Sequence, residues 1–308
     1  MTITTTRVRR LAIGAVAASS LLALTACGGD SSSSASESAG GSAAALPSVS
    51  ADAALAAAVP EAIKSTGKLQ MGTDASYAPM EFIDADGSTI IGADIDLGNA
   101  IAAKLGLQAE WANSSFDSLI VGVTNGKFNS SMSSFTINPE RLQQVNMVSY
   151  LNAGTAWAVA TGNPAGVNPD DACGKTVGVQ KATVQVEDIE ERNAACTAAG
   201  KEAIDIQQFT QQSDVTTALV SGKVDAMLAD SPVIAYAITQ TGKLEQAGDI
   251  YGSAPYGVVV PLAEKEFATT VQGAIQALIE DGSYAKILEQ WGLQDGAVTT
   301  SELNPAVS

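Results

Sequence analysis

The chain has 308 residues and carries 16 lysines and arginines against 33 aspartates and glutamates, a formal charge of −17. It contains no histidine, which excludes Ser-His-Asp and Cys-His catalysis and histidine-ligated metal sites. An acidic surface of this kind argues against nucleic acid or anionic lipid as a partner, because phosphate groups repel it. We expect no metal and no cofactor.

The N-terminal segment is typical of an exported lipoprotein. Three arginines precede an apolar run over 11–24 that is too short to span a bilayer and leads into Leu-Thr-Ala-Cys, ending at Cys27. We expect a signal peptide over 1–26, cleavage before Cys27 and acylation of its sulfur. The mature protein would then be anchored by lipid to the outer face of the cell membrane. An uncleaved anchor or a freely secreted protein is the alternative.

A tether is predicted next. Residues 27–58 are mostly glycine, serine and alanine and have little to bury, so they favour a flexible segment. Alanine content favours a helix over 51–64, but Pro60 interrupts it. The remaining chain, about 240 residues, is long enough for two lobes that each have their own core.

From residue 69 onwards strands and helices alternate, a pattern typical of α/β domains with largely parallel sheets. One helix, for example, has leucine or isoleucine at 97, 101 and 105 on one stripe and a glycine after its last turn. The predicted strands are 69–73, 82–83, 89–91, 108–112, 128–133, 156–160, 176–180, 204–209 and 226–229. The predicted helices are 94–105, 116–123, 184–199, 214–220, 232–241, 264–280 and 284–291.

The chain has three cysteines, and export would place them in an oxidising compartment where disulfides form. With Cys27 acylated, Cys173 and Cys196 remain as a pair in an oxidising compartment. We predict a disulfide between them, which closes a loop and stabilises the fold by about 3–4 kcal/mol. Two buried free thiols are the alternative.

One short stretch, 131–141, has the features of an anion-recognition site. A strand that ends at Ser133 and Ser134 presents hydroxyls and free backbone N–H groups. Asn138 then caps a short helix that carries Arg141. The planar guanidinium of Arg141 matches a carboxylate in a bidentate fashion, with Thr136 and Ser134 beside it. The alternative is a surface arginine in the first turn of a helix.

Four blocks of sequence resemble the family 3 solute-binding proteins of amino-acid ABC importers. The blocks are GTDASYAPMEF (72–82), IGADIDL (91–97), SSFTINPER (133–141) and VDAMLADSP (224–232). The resemblance implies a two-lobed, periplasmic-binding-protein-like (type II) α/β fold, with a returning strand over 256–261 that completes a two-strand hinge. The implied domains are lobe 1 (59–154 plus 258–308) and lobe 2 (155–257).

The same resemblance implies a ligand site in the cleft between the lobes. The residues implied to contact the ligand are Asp74, Tyr77, Phe116, Ser133, Ser134, Phe135, Thr136, Arg141, Thr183 and Asp230. Lobe 1 would hold an α-carboxylate through Arg141, and Thr183 would reach it from lobe 2. Ala182 stands where family members usually have glycine, which makes that contact less secure.

The remaining implied contacts concern the rest of the ligand. Asp230 would accept the α-ammonium, although it could instead cap a helix. Tyr77 and Phe116 would sandwich the side-chain stem; core packing is the alternative for Phe116. Asp74 accepts hydrogen bonds when ionised and suits a side chain that ends in donors, such as lysine, arginine, histidine or glutamine. A simple turn residue is the alternative for Asp74.

The function implied by the resemblance is transport and not catalysis. We expect a monomeric, lipid-anchored protein that closes on an amino acid, polar or basic, and delivers it to an ABC permease and its ATPase subunits. One alternative is a periplasmic lyase that resembles cyclohexadienyl dehydratases, which an ammonium-binding Asp230 disfavours. Another is an extracellular ligand sensor, which would differ only in its partners.

Overall fold

The computed structural model describes residues 48–307 of the chain. The predicted signal peptide, Cys27 and most of the predicted tether lie outside the described residues. Between residues 48 and 307 no helix is long and apolar enough to cross a membrane.

The described elements follow the predicted alternation of strands and helices. The helices are α1 (Ala53–Ala58), α2 (Glu61–Lys64), α3 (Ala93–Lys104), α4 (Phe116–Thr124), α5 (Pro139–Leu142), α6 (Val184–Ala198), α7 (Gln212–Val220), α8 (Ser231–Thr241), α9 (Lys265–Glu280) and α10 (Ser283–Trp291). The strands are β1 (Lys68–Thr73), β2 (Ser76–Tyr77), β3 (Glu81–Ile83), β4 (Ile90–Ile91), β5 (Gln108–Asn113), β6 (Ser130–Ser131), β7 (Val145–Ala160), β8 (Thr176–Gln180), β9 (Asp205–Phe209), β10 (Ala226–Asp230) and β11 (Leu244–Pro261).

The central sheet has eight strands among the described residues, in the order β5-β1-β6-β11-β7-β10-β8-β9. β1 pairs in parallel with β5 and β6, and β8 pairs in parallel with β9 and β10. The long strands β7 and β11 are antiparallel and lie between these two parallel sets. Two lobes therefore share one continuous sheet, lobe 1 around β1 and lobe 2 around β8. The predicted two-lobed α/β fold with a two-strand hinge is confirmed.

The two hinge strands are much longer than the sequence predicts. Their predicted segments, 156–160 and 256–261, are only the last parts of β7 and β11. Glycines and a proline before residue 256 are turn signals, yet β11 keeps its pairing with β7 through register shifts on both sides of Tyr251. Such shifts absorb turn-forming residues inside a strand. β7 and β11 also come very close at Gly154. A Cβ on Gly154 would lie 2.7 Å from the Tyr251 carbonyl oxygen, so only glycine permits this distance between the two strands.

The end of the predicted tether contains the helix α1, which packs on lobe 1. The Asp52 carboxylate accepts the first N–H groups of α1, and the Asp52 N–H donates to the Lys104 carbonyl at 2.9 Å. Leu55 packs against the core of lobe 1, beside α9. Pro60 separates α1 from α2, as predicted. The ordered part of lobe 1 therefore includes α1.

The predicted disulfide is present between Cys173 and Cys196, whose Cα atoms are 5.6 Å apart. It ties the loop before β8 to the last turn of α6. Asp171 lies close to both sulfurs and forms, among the described residues, the one cluster of three potential metal ligands. Because both sulfurs are bonded to each other, this cluster provides no thiolate for a metal.

We expect the disulfide to stabilise the fold without affecting ligand binding. The double variant Cys173→Ser/Cys196→Ser should lower the free energy of unfolding by about 3 kcal/mol, since it removes the constraint on a loop with a sequence separation of 23. Urea denaturation followed by circular dichroism measures this. A variant as stable as the wild type would show that the bridge contributes nothing.

Candidate ligand-binding site

A cavity lies between the lobes where strands of both parallel sets end. Asp74 follows β1, Gln180 ends β8 and Asp230 ends β10, and all three line the cavity. Ligand sites of open α/β sheets lie at this position, beyond the carboxyl ends of the strands.

Nine of the ten predicted contact residues line this cavity. Phe135 does not. Its side chain is 1% exposed, and its ring stacks on Phe116 with the ring centroids 4.7 Å apart. Phe135 therefore packs against Phe116, which lines the cavity, and is not itself a lining residue.

Arg141 is a cavity residue and not a surface arginine. Asn138 caps α5, and its Oδ1 accepts the Arg141 N–H at 2.8 Å, as predicted. Arg141 as a whole is 8% exposed. Its Nη1 donates to the Thr136 carbonyl at 2.7 Å in lobe 1, and its Nη2 donates to the Ala182 carbonyl at 3.0 Å in lobe 2. Arg141 therefore connects the two lobes at the edge of the cavity.

The turn at Ala182 keeps the geometry that glycine would provide. Ala182 has φ of 60°, in the left-handed region that costs a residue with a Cβ more than glycine. Thr183 follows and precedes α6, and its hydroxyl donates to the Gln180 carbonyl at 2.7 Å. Thr183, Val184 and Gln185 line the cavity, so the N-terminus of α6 faces it. The first N–H groups of a helix and its dipole favour an anionic group there.

The serine loop uses its polar groups differently from the prediction. The Ser133 hydroxyl accepts the Asp74 N–H at 3.0 Å and lies 3.0 Å from Glu81 Oε1, to which it donates. The Ser134 N–H, predicted to be free, donates to Asp94 Oδ2 at 2.8 Å. Within residues 48–307 the Thr136 N–H has no acceptor. Thr136 lines the cavity, so this N–H can donate to a ligand.

Asp230 is held by side chains from both lobes. Tyr77 donates its hydroxyl to Oδ2 at 2.9 Å, and Gln185 donates its amide to Oδ1 at 2.8 Å. Although Asp230 directly precedes α8, its carboxylate makes no cap hydrogen bond to that helix. Burial raises the pKa of Asp230, while these donors and the charge of Arg141 act in the opposite direction. The carboxylate is thus positioned in the cavity and is not used as a helix cap.

Asp74 is a second carboxylate in the cavity lining. Its Oδ2 accepts the Phe116 N–H at 2.9 Å and the Gln180 amide at 2.9 Å, so it too joins lobe 1 to lobe 2. The side chain is 3% exposed, which rules out a solvated turn residue. Burial raises the pKa of Asp74, partly offset by hydrogen bonds that include those from Phe116 and Gln180.

Four lining residues were missed by the sequence analysis: Glu81, Gln180, Val184 and Gln185. Glu81 matters most, because it adds a third carboxyl group to a cavity that has one guanidinium. It is fully buried and lies at the start of β3. The signal available was an acidic residue inside an otherwise apolar hairpin, within a block already identified as part of the family pattern. Gln180 could have been found from its position at the end of a predicted strand.

The cavity lies at the hinge of two lobes, and carboxyl, guanidinium and aromatic groups line it from both sides. This arrangement defines the class of two-lobed solute-binding proteins. The chain belongs to the bacterial extracellular solute-binding proteins, family 3, whose family model matches residues 69–294. The resemblance seen in the sequence is therefore confirmed.

Known proteins with similar chains include binding proteins for arginine. The arginine-binding protein ArgT of Corynebacterium glutamicum is 38% identical over 250 residues, which cover 80% of this chain and 82% of ArgT. The solved structure of an ancestral arginine-binding protein bound to arginine is 32% identical, with a TM-score of 0.67, and covers 73% of this chain and 98% of that one. An ancestral amino-acid-binding protein described as a precursor of cyclohexadienyl dehydratase is 29% identical, with a TM-score of 0.68 and coverage of 75% and 97%.

Proposed function

We propose that the protein binds a cationic L-amino acid, with L-arginine as its main ligand, for uptake by an ABC importer. The observation that carries this proposal is the charge of the cavity, which has three carboxyl groups, those of Asp74, Glu81 and Asp230, and one guanidinium, that of Arg141. The α-carboxylate of a bound amino acid pairs with the one positive group of the cavity, and its α-ammonium pairs with one of the three carboxyl groups. Two carboxyl groups then remain for the side chain, and they favour a cation over a neutral or acidic group.

Each end of an amino acid has a matching set of groups. Arg141, the Thr136 N–H and the N-terminus of α6 suit an α-carboxylate. Asp230 suits the α-ammonium, and Tyr77 and Phe116 suit an aliphatic stem. Asp74 lies at the far end, next to Gln180. The arginine bound by the ancestral protein and the name of ArgT support arginine as the ligand by similarity.

Capture by closure follows from contacts that already join the lobes around the cavity. Tyr77 bonds to Asp230, Asp74 to Gln180, and the Ser76 hydroxyl accepts the Gln212 N–H at 3.1 Å. A ligand that touches both lobes favours the closed arrangement by its extra contacts there. A dissociation constant of about 1 μM, near −8 kcal/mol, is reasonable for one bidentate pair, one ammonium site and the stem.

The first alternative, a lyase for cyclic dienyl acids, has one feature in its favour. Glu81 is a buried acid in the cavity, as such an enzyme would need. An acidic substrate, however, would meet three carboxyl groups with a single cation to offset them. We therefore propose a binding protein without catalytic activity. A sensor role would use the same cavity with different partners.

The proposal is tested by identifying what the protein carries. Mass spectrometry of the small molecules released from protein purified without denaturation should detect arginine or lysine. After unfolding and refolding to remove bound ligand, L-arginine should raise the melting temperature more than glutamine or glutamate does. A thermal shift by glutamate alone, or conversion of a cyclic dienyl acid to an aromatic product, would contradict the proposal.

We also propose the lobe boundaries and the partners that the resemblance implies. Lobe 1 is 59–154 plus 258–308, extended backwards by α1, and lobe 2 is 155–257. The pairing of Ala153 with Ala254 favours a return crossing slightly earlier than residue 258. The mature protein acts as a monomer and delivers its ligand to a permease with its ATPase subunits.

Lipid anchoring is proposed on the sequence alone. The variant Cys27→Ser should lose the acyl chain and appear in the medium or remain unprocessed, because the cysteine sulfur carries the anchor. Fractionation of cells and mass spectrometry of the N-terminus measure this. A Cys27→Ser protein that is still processed at the same residue and held on the membrane would remove the lipoprotein proposal.

A further inference from the structure

Two acidic side chains, those of Glu81 and Asp94, are buried together below the cavity. Both are 0% exposed, and they are neighbours: the Ser134 hydroxyl oxygen lies 3.5 Å from Glu81 Oε2 and 3.4 Å from Asp94 Oδ2. The backbone explains this closeness. The Asp94 N–H, at the start of α3, donates to the Met80 carbonyl at 2.9 Å, and Gly92 has φ of 137°. A Cβ on Gly92 would lie 2.1 Å from that carbonyl oxygen, so glycine lets α3 begin directly against β3.

The hydrogen bonds around the pair leave one oxygen without a donor. Asp94 Oδ2 accepts the Ser134 N–H and the Tyr150 hydroxyl, each at 2.8 Å, and Glu81 Oε1 accepts the Ser133 hydroxyl at 3.0 Å. Asp94 Oδ1 is buried and has no partner among the described residues. A buried acceptor without a donor is costly. A proton on one of the two carboxyl groups would add a donor to this otherwise acceptor-only cluster.

The surroundings of the pair also favour a proton. The titratable groups that face it are Asp74 and the hydroxyls of Tyr77 and Tyr150. No lysine or arginine among residues 48–307 forms an ion pair with either member. Burial, followed by repulsion from Asp94, raises the pKa of Glu81 well above its usual value, and burial raises the pKa of Asp94 to about 6. Two carboxyl groups in such a site keep one proton between them at neutral pH.

We propose that Glu81 and Asp94 share one proton and that a cationic amino acid releases it on binding, an inference that rests on the function proposed above. A positive side chain that reaches Glu81 from the cavity stabilises the carboxylate form, and the proton leaves to solvent. Asp94 is then a positioning residue, because it holds the Ser134 N–H, and it keeps the proton on the pair by its own negative charge. A neutral ligand has no charge to displace this proton.

The shared proton determines both the sign and the size of the pH dependence of the affinity. Without a cationic ligand the pair has a raised pKa, and the ligand lowers it. The affinity for arginine therefore increases with pH between the pKa of the pair in the complex and its pKa in the free protein. The increase is up to about tenfold per pH unit for one proton released. It becomes constant above the pKa of the free pair. Affinity for glutamine, which has the same α-amino and α-carboxyl groups, stays constant over this range.

Calorimetry in buffers with different ionisation enthalpies counts the protons directly. Titrations of L-arginine at pH 7 in phosphate and in Tris should give enthalpies that differ by the release of up to one proton for each ligand bound. Titrations with glutamine should give a difference near zero. Arginine binding whose proton release equals that of glutamine overturns this inference and leaves the proposed function intact. A failure of all amino acids to bind overturns the proposed function instead.

Variants distinguish a proton shared by Glu81 and Asp94 from a purely structural role of these two side chains. In Glu81→Gln the side chain keeps its shape but cannot ionise, so arginine should bind more weakly, release no proton and show constant affinity from pH 6 to 8. In Asp94→Asn the like charge is lost, and proton release should also fall. Exposed Glu190 on α6 provides the control Glu190→Gln, which should retain the wild-type release. If both buried variants fold by circular dichroism and release protons as the wild type does, the inference is wrong.

Discussion

Replacement of Arg141 by alanine is expected to remove measurable binding of L-arginine while the protein still folds. The guanidinium is buried and already positioned by the Thr136 and Ala182 carbonyls, so its remaining donors are fixed for a carboxylate. Loss of the guanidinium leaves the ligand carboxylate unpaired in a nearly dry cavity. The expected cost is about 3–5 kcal/mol, more than a hundredfold in affinity. Calorimetry measures the affinity, and circular dichroism measures the fold.

Two further variants interpret that result. Arg141→Lys keeps the charge but loses the planar fork, so we expect a partial recovery of affinity. Arg192→Ala removes the other arginine of the described residues, which lies in α6 and bonds to Asp188 and the Pro169 carbonyl, away from the cavity. It should bind arginine as the wild type does. An Arg141→Ala protein with unchanged affinity would show that the carboxylate binds elsewhere.

Replacement of Asp74 by asparagine is expected to weaken arginine and lysine more than glutamine. The change keeps the shape of the side chain and an oxygen that can accept from Phe116 or Gln180, but removes the charge. The expected loss for a cationic ligand is about 1.5–3 kcal/mol, the contribution of a hydrogen bond to a charged group. Calorimetry with arginine, lysine, glutamine and glutamate measures the difference between ligands.

The control for this variant is Asp117→Asn. Asp117 is exposed in the first turn of α4 and close enough to raise the pKa of Asp74, but it does not line the cavity. The Asp117→Asn variant should keep the preference of the wild type for cationic ligands. Equal losses for arginine and glutamine in Asp74→Asn would mean that Asp74 only supports α4 and does not face the ligand side chain.

The alternation of elements was predictable because most helices and strands have strong local signals. α3 has its apolar stripe and a glycine after it, and α5 has Asn138 and Pro139 at its start. The hinge strands were not predictable to their full length. In β11 the glycines and proline before Tyr256 favour turns locally, and the long pairing with β7 overrides them. Long-range pairing of this kind leaves little trace in a single segment.

The candidate site was predictable mainly through the motif blocks, and its errors have physical causes. Residues 133–136 form a loop in which Ser134 has φ of 52°, so a motif that names every residue of this loop includes Phe135, which is buried against Phe116. The Ser134 N–H could not be assigned without knowing that Asp94, distant in sequence, lies beneath it. Glu81 was missed for the same reason. Its significance depends on a cavity that only the folded lobes create.

Calorimetry of ligand-free wild-type protein with L-arginine and L-glutamate tests the central claim most directly. A cavity with three carboxyl groups and one guanidinium should bind L-arginine at one molecule per chain with a dissociation constant of about 1 μM or lower. Glutamate should bind at least about a hundredfold more weakly, because its side chain would meet the charge of Asp74 and that of the Glu81–Asp94 pair, which stays negative while it holds one proton. Glutamate binding as tight as arginine binding, or no heat with arginine while glutamate binds, would contradict the account.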